Sequence, residues 1–159
     1  MPKSLVAIAK GDDPEKMVAE VFAFLGGVEN LVKPRSTVVL KPNAGHPAAA
    51  ETSVNTSPGL VAAVIKEVKK AKPKEVIVAE AAAIGCDSLH VFDVSGIGAA
   101  AEAAGARLVD IKREKDLIDI PIRDARSDVK KVKLPRFLLE AEHLFNLPIF
   151  KSHASMVFT

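Results

Sequence analysis

The chain has 159 residues, of which 48% are hydrophobic and 26% are charged, and its formal net charge is +2. This size and composition are typical of one folded domain, so we predict a single domain over residues 1–159. The small net charge and the aromatic content of 4% supply neither the basic surface nor the stacking platforms of a nucleic-acid-binding protein, and no nucleic-acid partner is expected.

The first third of the chain predicts two strands separated by one helix. Apolar residues from Leu5 to Ala9 predict a buried strand. Asp13 suits the N-cap of the following helix and Pro14 its first position, while Gly26-Gly27 favours the end of that helix. Thr37 to Leu40 predicts the second strand. A loop of small residues follows it.

The middle of the chain continues this alternation. Ser57-Pro58 repeats the cap-and-proline signal, and the apolar stripe behind it predicts an amphipathic helix. Val76 to Ala79 predicts the third strand, and Ala81 to Leu89 a loop. An alanine-rich helix is expected over residues 96–104. The strand from Arg107 to Asp110 follows it.

The pattern changes after residue 111. Ile118 to Ile122 and Val129 to Leu134 alternate like exposed antiparallel strands. A short helix is expected over residues 135–142 and a buried strand from His143 to Leu147. Together these elements predict an α/β fold: a mostly parallel sheet flanked by helices, with a late β-hairpin insertion. Because the chain stops in an apolar stretch, we expect it to be an incomplete domain, the N-terminal part of a larger one.

Polar side chains follow the second strand. Lys41 comes directly after three apolar strand residues, and Asn43 lies two positions further on. In open α/β sheets, ligands bind beyond the carboxyl ends of the strands. Lys41 could neutralise a phosphate or carboxylate there, and Asn43 could donate and accept hydrogen bonds. A strand-end lysine reaching for water and an asparagine capping its own turn would explain the same residues.

Lys151 and His153 form a second polar cluster after the last predicted strand. Being two positions apart, they point the same way in an extended segment. They could hold an anion, or His153 could bind a metal or transfer a proton, and His46 on the other strand-end loop is a candidate to join them. Glu80 ends the third strand, where a carboxylate could bind a metal or act as a base, or could be the first solvated residue of a loop.

Two further sequence patterns give little support for a functional site. Gly96-Ile97-Gly98 matches the start of a dinucleotide fingerprint, but Asp110 follows Gly96 too closely to be the ribose-binding acid, which lies about 20 residues on. Cys86 is the single cysteine, which excludes any all-cysteine zinc or iron–sulfur site built from this chain alone. No basic residue adjoins it in sequence, so we interpret its thiol as inert.

The expected compartment is the cytoplasm. The apolar run near the N-terminus is too short for a signal-peptide core. No run approaches the roughly 18 apolar residues of a membrane span, so no membrane partner is expected. The oligomeric state stays open.

The order of these motifs resembles the domain of unknown function 362 family. The resemblance rests on a valine-rich N-terminal strand, a Gly-Gly helix end, Lys41-Pro42-Asn43, the helix entry Thr56-Ser57-Pro58, the acid Glu80 and the segment from Leu147 to His153. It covers essentially the whole chain. Many relatives carry a ferredoxin-type iron–sulfur module, but the single cysteine of this chain does not allow that cofactor to be transferred. The resemblance implies an α/β scaffold with pocket residues Lys41, Asn43, Thr56, Glu80, Lys151 and His153.

Two functions remain open from the sequence. In the first, the chain is an enzyme domain that binds a small anion or a metal-bound cofactor. Lys41, Asn43 and Thr56 would then bind the ligand, while Lys151, His153 and Glu80 would be the catalytic group. In the second, the chain is a non-catalytic binding or redox-accessory module. This alternative is favoured because no nucleophile and base occur at a sequence spacing typical of a catalytic pair.

Overall fold

The computed structural model describes residues 4–124, 126–153 and 157–158. The helices are α1 (Pro14–Phe24), α2 (Val28–Leu31), α3 (Pro58–Lys69), α4 (Ser88–Val94), α5 (Ile97–Ala103) and α6 (Arg136–Glu140). The strands are β1 (Thr37–Pro42), β2 (Glu75–Glu80), β3 (Arg107–Asp110), β4 (Leu117–Pro121), β5 (Lys131–Pro135), β6 (His143–Leu147), β7 (Ser152–His153) and β8 (Val157–Phe158). Within these ranges no helix is long and apolar enough to cross a membrane.

A four-stranded parallel sheet organises the fold. Its strand order is β3-β2-β1-β6, so β1 pairs with β2 on one side and with β6 on the other. The strands β4 and β5 form a separate antiparallel hairpin, and β7 pairs with β8 in a second one. The predicted α/β fold, with a mostly parallel sheet and a late hairpin, is confirmed.

The two faces of the sheet are covered unequally. Val38 and Leu40 of β1 point into the larger core, together with apolar residues of α1, α3, α4 and α5. Val39, on the opposite face, belongs to a smaller cluster against which Phe137 of α6 packs. Because β1 is buried on both faces, it reads in sequence as a continuous apolar run rather than an alternating one.

The two ends of α1 lie where the capping residues in the sequence predict them. The Asp13 side chain accepts hydrogen bonds from the backbone N–H groups of Glu15 and Lys16, at 3.0 and 3.2 Å, and α1 begins at Pro14. The helix ends before Gly26, whose φ of 99° suits a residue without a Cβ. Both predicted ends of α1 are confirmed.

The glycines around α5 serve packing. Gly96 follows helix α4 rather than a strand, which is the wrong context for a dinucleotide-binding turn. A Cβ at Gly98 would lie 3.3 Å from both Leu108 Cδ1 and the Phe92 carbonyl oxygen. The glycine therefore allows α5 to approach the sheet closely.

The predicted strand from Leu5 to Ala9 is wrong. These residues form no ladder, and Ile8 is 89% exposed. Both sides of β1 are already paired, with β2 and with β6, and residues 6–8 instead line a surface pocket with Val21 and Phe24 of α1. An apolar run indicates an extended segment, but a strand also needs a partner with free backbone groups.

The predicted loop from Ala81 to Leu89 ends early, because α4 begins at Ser88. Asp87 is its N-cap and accepts a hydrogen bond from the His90 N–H at 3.0 Å. The seven residues of α4 are too few for a clear helical period to stand out in the sequence.

Leucines at the centre and at the edge of the sheet provide a test of this architecture. Leu40 of β1 is fully buried, whereas Leu144 of β6 is 58% exposed. We expect Leu40→Ala to lower the free energy of unfolding by about 3 kcal/mol, through lost burial and a residual cavity. Leu144→Ala should cost about 1 kcal/mol or less. Urea denaturation measures both, and equal losses would contradict the central position of β1.

Candidate functional site

The carboxyl ends of β1, β2 and β6 meet at one edge of the sheet because these strands are parallel. A cavity of about 370 Å³ opens at that edge. Its lining comes from three distant parts of the chain: Lys41, Asn43, Gly45, His46, Glu80, Ala81, Ala83, Asn146, Pro148 and Lys151. The structure therefore brings five candidate residues to one place, namely Lys41, Asn43, His46, Glu80 and Lys151.

Lys41 and Glu80 form an ion pair inside this cavity. Lys41 Nζ lies 2.9 Å from Glu80 Oε2, and the Glu80 side chain is only 8% exposed. The same carboxylate accepts from the Ala81 N–H at 2.8 Å and from the Ala44 N–H at 3.4 Å. Glu80 is thus a buried, hydrogen-bonded carboxylate with a cationic partner, and it is not a solvated loop residue.

Lys151 and Asn43 converge on one backbone carbonyl. Lys151 Nζ donates to the Val54 oxygen at 2.6 Å, and Asn43 Nδ2 donates to the same oxygen at 3.2 Å. An ammonium group has three donors, so this bond leaves two on Lys151 for other acceptors. The shared carbonyl fixes the two side chains beside each other on the wall of the cavity.

Thr56 joins the strand ends behind the cavity. Its hydroxyl donates to the Leu147 carbonyl at 2.7 Å and accepts from the Asn43 N–H at 2.8 Å. Its own N–H donates to the Asn43 carbonyl at 2.9 Å. Thr56 is buried and is not among the lining residues, so these bonds explain its presence, and direct ligand contact stays a prediction.

Asn55 was not singled out from the sequence. Its side-chain oxygen accepts from the Gly45 N–H at 3.2 Å, and its amide donates to the His46 and Ala48 carbonyls at 2.8 and 3.2 Å. This buried side chain shapes the loop that forms one rim of the cavity. The polar run from Thr52 to Pro58 gave no signal that distinguished this residue from its neighbours.

Asn146 is a second residue that the sequence analysis did not select. It is the register partner of Lys41 across the β1–β6 ladder, and it is exposed at the cavity. Its position in the strand that directly precedes the Lys151 cluster could have identified it as a site residue. His153 lies in β7, but its side chain is outside the described residues, so its predicted role stays a prediction.

His46 stands against the one cysteine. Cys86 Sγ lies 3.8 Å from His46 Nδ1. This contact was not predicted, because the two residues are far apart in sequence. Beside them, the His90 N–H and then the Arg113 guanidinium hold the pKa of Asp87 below its ordinary value, because both donate to the charged carboxylate. Asp87 is therefore engaged in capping α4 and in an ion pair.

The polar side chains at this edge are mainly hydrogen-bond donors. Among the residues that the structure describes, no group of three or more His, Cys, Asp or Glu side chains could hold a metal ion. The polar side chains that line the cavity are two ammonium groups, two amides, one imidazole and one ion-paired carboxylate. Such a set is rich in hydrogen-bond donors and suits an anion better than a cation.

The fold and the cavity define an α/β protein with a donor-rich cleft at the carboxyl edge of a parallel sheet. A family model described as Domain of unknown function (DUF362) matches residues 38–159, and the chain belongs to this family. The predicted resemblance is confirmed over these residues, whereas the N-terminal strand and the Gly-Gly helix end on which it also rested lie before them. No curated protein and no solved structure matches the chain.

The hydroxyl of Thr56 can be tested by paired substitutions. Thr56→Val keeps the shape but removes the bonds to Leu147 and Asn43, so we expect the free energy of unfolding to fall by about 2 kcal/mol. Thr56→Ser keeps the hydroxyl and should cost about 1 kcal/mol or less. Urea denaturation of both variants measures the difference, and losses of the same size would show that the hydroxyl contributes little.

Proposed function

We propose that this protein binds a small organic or inorganic anion, a carboxylate or a phosphate, in the cavity at the carboxyl edge of the sheet. The observation that supports the proposal is the convergence of Lys41, Lys151, Asn43 and Asn146 on one cavity. Each comes from the end of a strand or from the segment after it, where ligands of open α/β sheets bind.

The Lys151 ammonium group is the proposed anchor for the anion. Its described bond is to a neutral carbonyl, so its charge is not balanced by that partner. Lys41 already faces the Glu80 carboxylate. An incoming anion would therefore bind Lys151 first and accept further hydrogen bonds from the neighbouring amides.

Anion binding is the step common to both functions predicted from the sequence. In an enzyme domain, Glu80 would be the acid or base and His153 a proton carrier, and the buried carboxylate beside Lys41 supports that assignment. In a binding or redox-accessory module, the same residues would only hold the ligand. We propose binding as the function and catalysis by Glu80, Lys151 and His153 as its extension.

Replacement of Lys151 tests the proposal directly. Acetate and inorganic phosphate are titrated into the full chain at low ionic strength and followed by calorimetry and by amide chemical shifts. We expect at least one of them to bind, and Lys151→Met to weaken that binding at least tenfold, because a charge-assisted hydrogen bond is worth about 1.5–3 kcal/mol.

Lys69→Met is the matched control. Lys69 Nζ also donates to a backbone carbonyl, that of Ala104 at 3.1 Å, but it lies outside the cavity. This variant should bind the anion as the unmodified protein does. Equal weakening of anion binding in the two variants would refute the proposal.

A further inference from the structure

The charges of the cavity set the net charge of its ligand. Lys41 and Glu80 neutralise each other at 2.9 Å. Among the lining residues that the structure describes, Lys151 is the ammonium group left without a carboxylate partner. A ligand with a single negative charge would balance it. A dianion would bring its second charge towards the buried carboxylate of Glu80, which is unfavourable.

Glu80 also retains capacity to accept a hydrogen bond. It receives three donors, from Lys41 Nζ and from the N–H groups of Ala44 and Ala81. An ionised carboxylate offers about four acceptor positions. A ligand with its own donor can occupy the remaining position, whereas a ligand without one leaves it to water.

We infer that the ligand is a small 2-hydroxycarboxylate, an inference that rests on the proposed anion binding. Its carboxylate would bind Lys151 and the Asn43 amide. Its hydroxyl would donate to Glu80. A 2-amino acid is a zwitterion without net charge, so it would leave the charge of Lys151 unbalanced and should bind more weakly.

The size of the cavity agrees with this class. A volume of about 370 Å³ lies at the lower end of the range for small-molecule sites, about 300–1,000 Å³. A hydroxycarboxylate of a few carbons fits together with ordered water.

Four probes of similar size test the inference on the unmodified protein: glycolate, acetate, glycine and inorganic phosphate. We expect glycolate to bind about tenfold more tightly than acetate, since it adds one hydrogen bond to a charged acceptor. Glycine and phosphate should also bind more weakly than glycolate. If acetate, glycine or phosphate equals or exceeds glycolate, the ligand class is wrong while anion binding stands.

Substitution of Glu80 provides the second arm. In Glu80→Gln, glycolate and acetate should bind within about twofold of each other, because the charged acceptor is gone. Glu75→Gln is the matched control: Glu75 begins the same strand, pairs with Arg107 at the opposite edge and should keep the tenfold preference.

The outcomes separate the two proposals. A glycolate preference that survives in Glu80→Gln would overturn the role of Glu80. If Glu80→Gln does not fold, the comparison of glycolate with acetate on the unmodified protein decides the ligand class alone. Binding of none of the four probes would refute the proposed function itself, and the hydroxycarboxylate with it.

Discussion

The parallel pairing of β1 with β2 on one side and β6 on the other is the constraint on which the rest of the structure depends. It buries β1 on both faces and brings three strand ends to one edge of the sheet. Parallel strands need crossover connections, and these carry the helices that cover the faces. The same geometry leaves the polar residues after each strand facing a common space.

The ion pair between Lys41 and Glu80 shows how that edge is organised electrostatically. A carboxylate as buried as Glu80 needs a charged or hydrogen-bonded partner, and it has both. Because this pair is internally balanced, Lys151 is the ammonium group among the described lining residues that has no carboxylate partner. Ligand selectivity would then depend on two groups: the Lys151 ammonium group, which would bind the anion, and the neutral Lys41–Glu80 pair, which could form further hydrogen bonds with the ligand.

Much of the fold was predictable from local patterns. The bounds of β3 and β6 and the start of α1 match those predicted from apolar runs and from Asp13-Pro14. The prediction that β6 is buried is wrong, because its residues alternate between half-buried and exposed. Residues 5–9 show the limit of such patterns. Their composition suits a strand, but strand formation is decided by whether a neighbour has an unpaired edge.

The site was predictable only in part. That Lys41 and Lys151 could lie near each other followed from the rule for parallel strand ends. Three contacts could not be predicted from the sequence. The Lys41–Glu80 pair and the His46–Cys86 contact join residues that are distant in sequence. The Asn55 side chain bonds to backbone atoms, and no side-chain pattern reveals such bonds. Glu80 was selected from its position at the end of a strand, but that position did not reveal Lys41 as its ion-pair partner.

The bond between Lys151 and Val54 has a consequence for how the molecule is assembled. Its two residues are separated by 97 positions, and the Thr56–Leu147 bond spans 91. Contacts of such long range form slowly, because a large loop must close before they stabilise anything. Lys151 is synthesised 97 positions after Val54, so this wall of the cleft is completed later than the parts that β1 and β2 contribute.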